Sequence, residues 1–187
     1  MTRMARTRKA EIVVLCEDVK HKTFMVRYLK SLGFNTRQIR TKLPRAGRGA
    51  GEQWVRESYP EWAGAQRRRA NHTGTSLIVV IDADTLSVDQ RRQQLDEGLR
   101  NAGLAMRSSE ERIAFVIPRR NIETWVHFAQ TRAIDETTDF KLRYRDAKLC
   151  REAANVVLDA CRSSTDQSSI PPSLAAACLE LRRLVRS

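Results

Sequence analysis

Residues 76–84 read Ser-Leu-Ile-Val-Val-Ile-Asp-Ala-Asp, a run of apolar, mostly β-branched residues that ends in two aspartates. Apolar runs of four to eight residues are typical of strands that are buried on both faces of a parallel sheet. We therefore predict a strand over 76–81. Two similar runs predict strands over 11–16 and 113–117, and a weaker run predicts a fourth strand near 34–40.

Amphipathic helical patterns lie between these apolar runs. The first pattern ends at Gly33, and the second covers 52–70 and contains Pro60, which we expect to kink or split the helix. Further helices are predicted over 88–102, on the surface, and over 121–130, 145–161 and 172–185. Strands that alternate with helices are typical of α/β proteins with a mostly parallel sheet, here of four strands flanked by helices.

The 187 residues are enough for one ordinary domain, and their composition is 41% hydrophobic. We predict a basic arm over 1–10, a domain over 11–161, and a linker with a C-terminal helix over 162–187 that either packs loosely or binds a partner. No apolar stretch approaches the roughly 20 residues of a membrane-spanning helix. The four cysteines form no CxxC pair, so we expect reduced thiols, no disulfide and a cytoplasmic protein without membrane contact.

Positive charge is concentrated in the first part of the chain. The net charge is +12, and residues 1–75 alone hold 17 Lys and Arg against 6 Asp and Glu. Such a basic surface attracts polyanions, which predicts nucleic acid as a partner, although charge also serves solubility alone. The candidate phosphate contacts in this part lie in a glycine-rich loop and at a helix end: Arg45, Arg48, Arg67, Arg68 and Arg69.

Acidic residues follow three of the predicted strands, an unusual placement in so basic a protein. Glu17 follows the first strand, Asp82 and Asp84 follow the 76–81 strand, and Glu123 lies beyond the last. Ligands of open α/β sheets bind at the carboxyl ends of the strands, so these four side chains are expected to converge there. Converging carboxylates suit Mg²⁺ or Mn²⁺, and metals on a basic surface suit phosphodiester chemistry. Single acidic residues after strands also serve as helix caps.

These motifs resemble the TOPRIM domain of topoisomerases, primases and OLD-family endonucleases. Small bacterial TOPRIM-like proteins, including the RloB-like group, have a first motif close to E-G-x-T-E before an aromatic residue. Here it reads Glu17-Asp18-Val19-Lys20-His21 before Phe24, so Asp18 replaces the glycine and His21 the second acidic residue. The later motifs correspond to Asp82-Ala83-Asp84, Pro118, Glu123-Thr124-Trp125 and His127-Phe128.

The resemblance spans about residues 11–130. It implies a Rossmann-like TOPRIM fold and a Mg²⁺- or Mn²⁺-dependent nuclease that acts on DNA or RNA in a bacterial defence system, in some cases with an ATPase partner. The metal ligands implied are Glu17, Asp82, Asp84 and Glu123, which together with Lys20 form the expected catalytic set. Arg119 and Arg120, beside the acidic motifs, are expected to contact phosphate.

Two alternatives use the same residues differently. The stretch that begins at Asp82 also resembles the D-x-D-x-T motif of haloacid dehalogenase-like phosphatases, but that motif normally opens the domain, and no later acidic pair follows a strand here. The second alternative is a non-catalytic nucleic-acid-binding module that works with a partner protein. The replacements at Asp18 and His21 favour it, and the retained carboxylates oppose it.

Overall fold

Four parallel strands form one sheet in the order β2-β1-β3-β4. The computed structural model describes residues 11–45, 50–163 and 167–185, so the predicted arm over 1–10 and Arg48 lie outside the described residues. The strands are β1 (Ile12–Cys16), β2 (Ile39–Lys42), β3 (Ser76–Val80) and β4 (Ile113–Val116). The predicted α/β class and parallel sheet are confirmed.

Strand β2 begins later than the weak pattern at 34–40 predicted. Thr36–Gln38 form a single 3₁₀ turn instead of extended chain. Asn35 caps this turn, because its side chain accepts a hydrogen bond from the Arg37 amide at 3.0 Å. Asparagine competes with strand hydrogen bonding through such local bonds, which explains the later start.

Six α-helices surround the sheet within the described part of the chain. Pro60 neither splits the second helix nor ends it, because that helix continues unbroken on both sides of the proline. None of the helices in the described ranges is both long and apolar enough to span a bilayer. The helices are α1 (Val19–Ser31), α2 (Gly51–Thr73), α3 (Val88–Asn101), α4 (Glu123–Thr131), α5 (Ala147–Ser163) and α6 (Pro172–Val185).

The helices form a layer on each face of the sheet, which explains why the strands are apolar at every position. Val14 and Ile78 face the layer that contains α1, α4, α5 and α6. Leu77 and Val79 face α2 and α3. Helix α3, predicted to lie on the surface, exposes one side to solvent and buries Arg91, Leu95 and Leu99 on the other.

The C-terminal helix is part of this core, and the expectation of loose packing is wrong. Helix α6 packs against β4 and buries Leu174, Leu181 and Leu184. The expectation of four reduced cysteines is also wrong, because Cys161 and Cys178 form a disulfide between α5 and α6. The chain turns back after α5, so two cysteines 17 residues apart come to face each other. The other two cysteines, Cys16 and Cys150, are free and buried, as expected.

The strand order creates a crevice at the carboxyl end of the sheet. From β1 the chain passes through α1 to β2 on one side, and then through α2 to β3 on the other side of β1. The connections that leave β1 and β3 therefore diverge, which is the arrangement at which open α/β sheets bind ligands. Glu17 and Asp82 follow these two strands.

Candidate active site

Glu17 and Asp82 meet at this crevice. Cys16 and Val80 are paired residues of β1 and β3, so the residues that follow them leave the sheet side by side. The Asp82 amide donates a hydrogen bond to the Glu17 carboxylate, with an N–O distance of 2.6 Å. The structure thus brings the Glu17 carboxylate to the backbone of Asp82.

His21 reaches the same place from the first turn of α1. Asp18 is the N-cap of this helix and accepts a hydrogen bond from the His21 amide at 2.9 Å. The first turn is thereby fixed with the imidazole pointing inward, where it is completely buried. Its Nε2 lies 2.9 Å from Oδ1 of Asp82. Asp18 thus acts as a helix cap, and His21 binds a predicted metal ligand directly.

Burial and mutual repulsion dominate the electrostatics of this group. Burial, and next the Asp82 charge, raise the pKa of Glu17 to about 8. Burial also raises the pKa of Asp82, although His21 opposes the shift. Burial alone would lower the pKa of His21, but the charge of Asp82 and its hydrogen bond raise that pKa to about 10. The imidazolium thus neutralises part of the charge of two crowded carboxylates.

Asp84 lies at the mouth of the crevice in an unusual backbone conformation. Its φ of 54° is in the left-handed region, as is the φ of 64° at Arg120. The Asp84 amide donates a hydrogen bond of 2.8 Å to the Arg120 carbonyl. Two cations approach its carboxylate: Lys141 donates a hydrogen bond at 3.2 Å, and an Nη atom of Arg91 lies 3.6 Å away. Non-glycine residues in this region are uncommon and mark functional sites when the surroundings hold them there.

Glu123 lies deeper and has a cation of its own. Its carboxylate is 3% exposed and forms an ion pair with Lys20. Lys20 also donates to the carbonyl of Tyr144 at 2.9 Å. The negative charge of Glu123 contributes to the raised pKa of Asp82, which indicates that the two carboxylates are near each other. The four predicted acidic residues therefore occupy one region, with Glu123 set back behind a lysine.

The end of the glycine-rich loop lies against Glu17. Gly51 begins α2, and a Cβ atom at this position would overlap the carbonyl oxygen of Glu17. Only glycine permits so close an approach of the two backbones. The N-terminus of α2 is therefore held beside the crevice. Arg45 is exposed on the same loop.

The predicted phosphate contacts fall into two groups. Arg119 and Arg120 lie beside Asp84, and Arg120 is 3.7 Å from Asp139. Arg67 is 16 residues beyond Gly51, which corresponds to about 24 Å along α2. Its guanidinium is bound to Glu111 over 2.6 Å and 3.1 Å. Arg67, and with it Arg68 and Arg69, lies near the end of α2 that leads into β3, away from the carboxylates.

The donors at the crevice are of the chemical type that a hard divalent ion prefers. The carboxylates of Glu17, Asp82 and Asp84 are oxygen ligands of the kind that Mg²⁺ and Mn²⁺ prefer. Burial, and next the negative charge of Asp82, raise the pKa of Glu17, and a nearby cation would favour its charged form. Among the described residues, no group of three acidic, histidine or cysteine side chains is already arranged as a metal site. Instead, Lys141 and Arg91 lie against the carboxylate of Asp84. His21 lies against the carboxylate of Asp82.

Sequence reasoning missed several residues of this site. Lys141 comes from an irregular segment that no periodic pattern locates. Arg91 is a buried arginine on a helix predicted to be exposed, where it is paired with Glu52 of α2. His21 was noted only as a replacement in the first motif. The signal for it was its position three residues after the cap Asp18, one turn from Glu17.

Comparisons of the chain with protein-family models, with curated proteins and with solved structures returned no match. No relative therefore assigns a role to Glu17, Asp82 or Asp84. What these side chains do must follow from their own geometry and charge.

Proposed function

We propose that the protein is a TOPRIM-type nuclease that uses Mg²⁺ or Mn²⁺ to hydrolyse phosphodiester bonds in DNA or RNA. One observation carries the proposal: the Glu17 carboxylate lies against the Asp82 amide at the crevice between β1 and β3. Asp82 is buried and Glu17 is partly buried, and such carboxylates in a strongly basic protein need a function or a counter-ion. Asp84 adds a third carboxylate at the same edge.

Each side chain has a role in this proposal. Asp82 and Asp84 hold the ion, Glu17 completes its binding or moves a proton, and Glu123 orients Lys20 or completes the site. A divalent ion bound there stabilises charge on the attacking and leaving oxygens of a phosphodiester.

Cations around the carboxylates favour a phosphate ligand. Lys141 and Arg91 approach Asp84, and Arg119 lies beside the same loop. These cations would be partners for a nucleic-acid phosphate if a metal ion were bound to the carboxylates. The net charge of +12 favours the approach of such a polyanion.

A non-catalytic nucleic-acid-binding module is the second candidate. It is favoured because three of the carboxylates already have a cationic partner in the structure. The pairs are His21 with Asp82, Lys141 with Asp84, and Lys20 with Glu123. In this alternative the carboxylates have a structural role, and they hold the cationic side chains in position to bind phosphate. The two candidates differ in whether a metal ion displaces those cations.

We also propose a cellular setting on the basis of the motif resemblance. The nuclease acts in the cytoplasm as part of a bacterial defence system, with an ATPase as a partner protein. Because Cys161 and Cys178 form a disulfide, the cysteines no longer support the cytoplasmic setting, which rests on the resemblance alone. The concentration of basic residues in the first 75 positions supports nucleic acid as its substrate.

Cleavage assays with matched variants test the proposal. The purified protein is incubated with plasmid, single-stranded DNA or transfer RNA in Mg²⁺, Mn²⁺ or EDTA. We expect metal-dependent cutting that Asp82→Asn reduces by on the order of a hundredfold or more, since the metal supplies several kcal/mol of charge stabilisation. Asp159→Asn, an exposed aspartate on α5, is the control and should cut normally. Tight binding without cutting in either metal would favour the binding module.

A further inference from the structure

A basic cleft lies between α1 and α5, and its lining contains none of the arginines that the sequence predicted as phosphate contacts. Its volume is about 370 Å³. Four of its six lining residues are cations, and none of the six is acidic. The lining residues are Lys22, Thr23, Val26, Arg27, Lys30 and Arg151.

The helices hold one of these cations in place. The Nε of Arg27 donates to Oδ1 of Asn155 at 3.0 Å, and Ser31 donates to the same oxygen at 2.8 Å. Lys22 and Lys30, on either side along α1, are exposed, as is Arg151 on α5. Arg27 is therefore oriented before any ligand arrives, which lowers the entropy cost of binding an anion.

The cleft leads away from the candidate active site. Helix α1 begins two residues after Glu17, and Lys22 lies in its first turn. Burial raises the pKa of Cys150, in the first turn of α5, and the nearby charges of Glu123 and Lys20 also act on it. Asn155, one and a half turns further along α5, meets Arg27 and Ser31. Both helices thus start at the site and run in the same direction.

We propose that this cleft binds the sugar–phosphate backbone of a nucleic-acid strand whose adjoining phosphodiester lies at Glu17 and Asp82. The inference rests on the proposed action on nucleic acid. From Lys22 to Lys30 is about 12 Å along the helix, a span that accommodates about three phosphates of one strand. A concave row of cations fits a strand, because single strands lie in positively charged grooves. Binding to a lipid surface needs an apolar face, and Val26 alone of the six lining residues is apolar.

A binding assay in EDTA tests the cleft separately from catalysis. The probe is a short labelled oligothymidine, measured by fluorescence anisotropy at several salt concentrations. The test variant is Lys22→Gln with Lys30→Gln, and the control is Arg37→Gln with Arg100→Gln, two exposed arginines on other elements. Far-ultraviolet circular dichroism checks that both variants are folded.

We expect the cleft variant to bind on the order of tenfold more weakly near physiological salt and to lower the slope of log K against log salt by about 1.4, the value for two lost single-strand contacts. The control should keep the slope of the unmodified protein. Equal behaviour of the two variants would overturn the proposal, and so would binding of the unmodified protein to anionic phospholipid vesicles but not to the oligonucleotide.

The outcome also separates this proposal from the nuclease. If Asp82-dependent cutting occurs while the cleft variant binds as the control does, the cleft proposal fails and the nuclease stands. If the cleft variant loses binding while the unmodified protein cuts in neither Mg²⁺ nor Mn²⁺, the nuclease fails and the cleft stands. Absence of binding by the unmodified protein overturns the cleft.

Discussion

The backbone amide of Asp82 donates a hydrogen bond to the carboxylate of Glu17 across 65 residues of chain, at 2.6 Å. This contact joins the ends of β1 and β3 at the point where the strand connections diverge. It brings a second carboxylate next to Asp82, which His21 already binds from the other side. The stability and the chemistry of the site both depend on how this concentrated charge is neutralised.

The first prediction concerns the pH dependence of stability. Burial and Asp82 raise the pKa of Glu17 from 4.5 to about 8, so the folded state binds an extra proton between these values. Its stabilising contribution is complete below pH 4.5 and is lost as the pH rises to 8. Burial lowers the pKa of His21, but Asp82 raises it from 6.5 to about 10. The stabilising contribution of protonated His21 is therefore lost as the pH rises from 6.5 to 10.

Thermal unfolding between pH 5 and pH 9 measures this effect. We expect the melting temperature to fall with rising pH, and the fall to be shallower in Glu17→Gln, which cannot titrate. Glu57→Gln, at an exposed position of α2, should retain the full pH dependence. Identical profiles for Glu17→Gln and the unmodified protein would show that Glu17 titrates normally.

The second prediction concerns the buried ion pair of Lys20 and Glu123. Lys20→Met leaves a carboxylate that is 3% exposed without its cation, so we expect a loss of about 3–5 kcal/mol in the free energy of unfolding. Adding Glu123→Gln should recover most of this loss, because no buried charge is then left unpaired. Denaturant unfolding measures both.

Lys148 provides the matched control for that experiment. It forms an exposed pair with Glu152 at 4.0 Å, so Lys148→Met should change stability by less than about 1 kcal/mol. Equal small effects of the Lys20 and Lys148 changes would contradict a buried pair at Glu123.

The third prediction concerns the close approach of Gly51 to Glu17. Gly51→Ala places a methyl group on the Glu17 carbonyl, which we expect to cost about 1–3 kcal/mol and to reduce cleavage by displacing Glu17. Gly98→Ala, in α3, meets its nearest atoms at 3.7 Å and should instead stabilise by about 0.5–1 kcal/mol. Chemical unfolding of the two variants compares them. Stabilisation by both changes would show that the two backbones are further apart.

The fourth prediction concerns the disulfide between α5 and α6. Reduction, or Cys161→Ser with Cys178→Ser, should lower the free energy of unfolding by about 2–3 kcal/mol, the entropic effect of opening a loop of this length. The double variant should no longer respond to reductant. A native protein in which reductant changes nothing, and in which alkylation finds both thiols free, would contradict the bond.

The sequence was informative where regular structure determines position. The apolar runs at 11–16, 76–81 and 113–117 located three strands, and a parallel sheet then requires that Glu17 and Asp82 emerge at one edge. The parallel order of all four strands follows from the same alternation with helices.

It was uninformative where a contact depends on irregular chain or on helix packing. Lys141 reaches Asp84 from a segment without periodicity, 57 residues away. The Cys161–Cys178 bond depends on how α6 returns to α5, which the spacing of cysteines does not reveal. Arg91 is buried because α3 packs over α2. The mostly polar sequence of α3 indicated only that the helix lies on the surface.

A crystal structure determined with Mn²⁺, with anomalous diffraction to locate the ion, tests the central claim most directly. The account predicts an anomalous peak bound by the carboxylates of Glu17, Asp82 and Asp84, with Lys141 moved away from Asp84, and loss of the peak in Asp82→Asn. Crystals with no anomalous peak there, with Lys141 and Arg91 still on Asp84 and His21 still on Asp82, would contradict it.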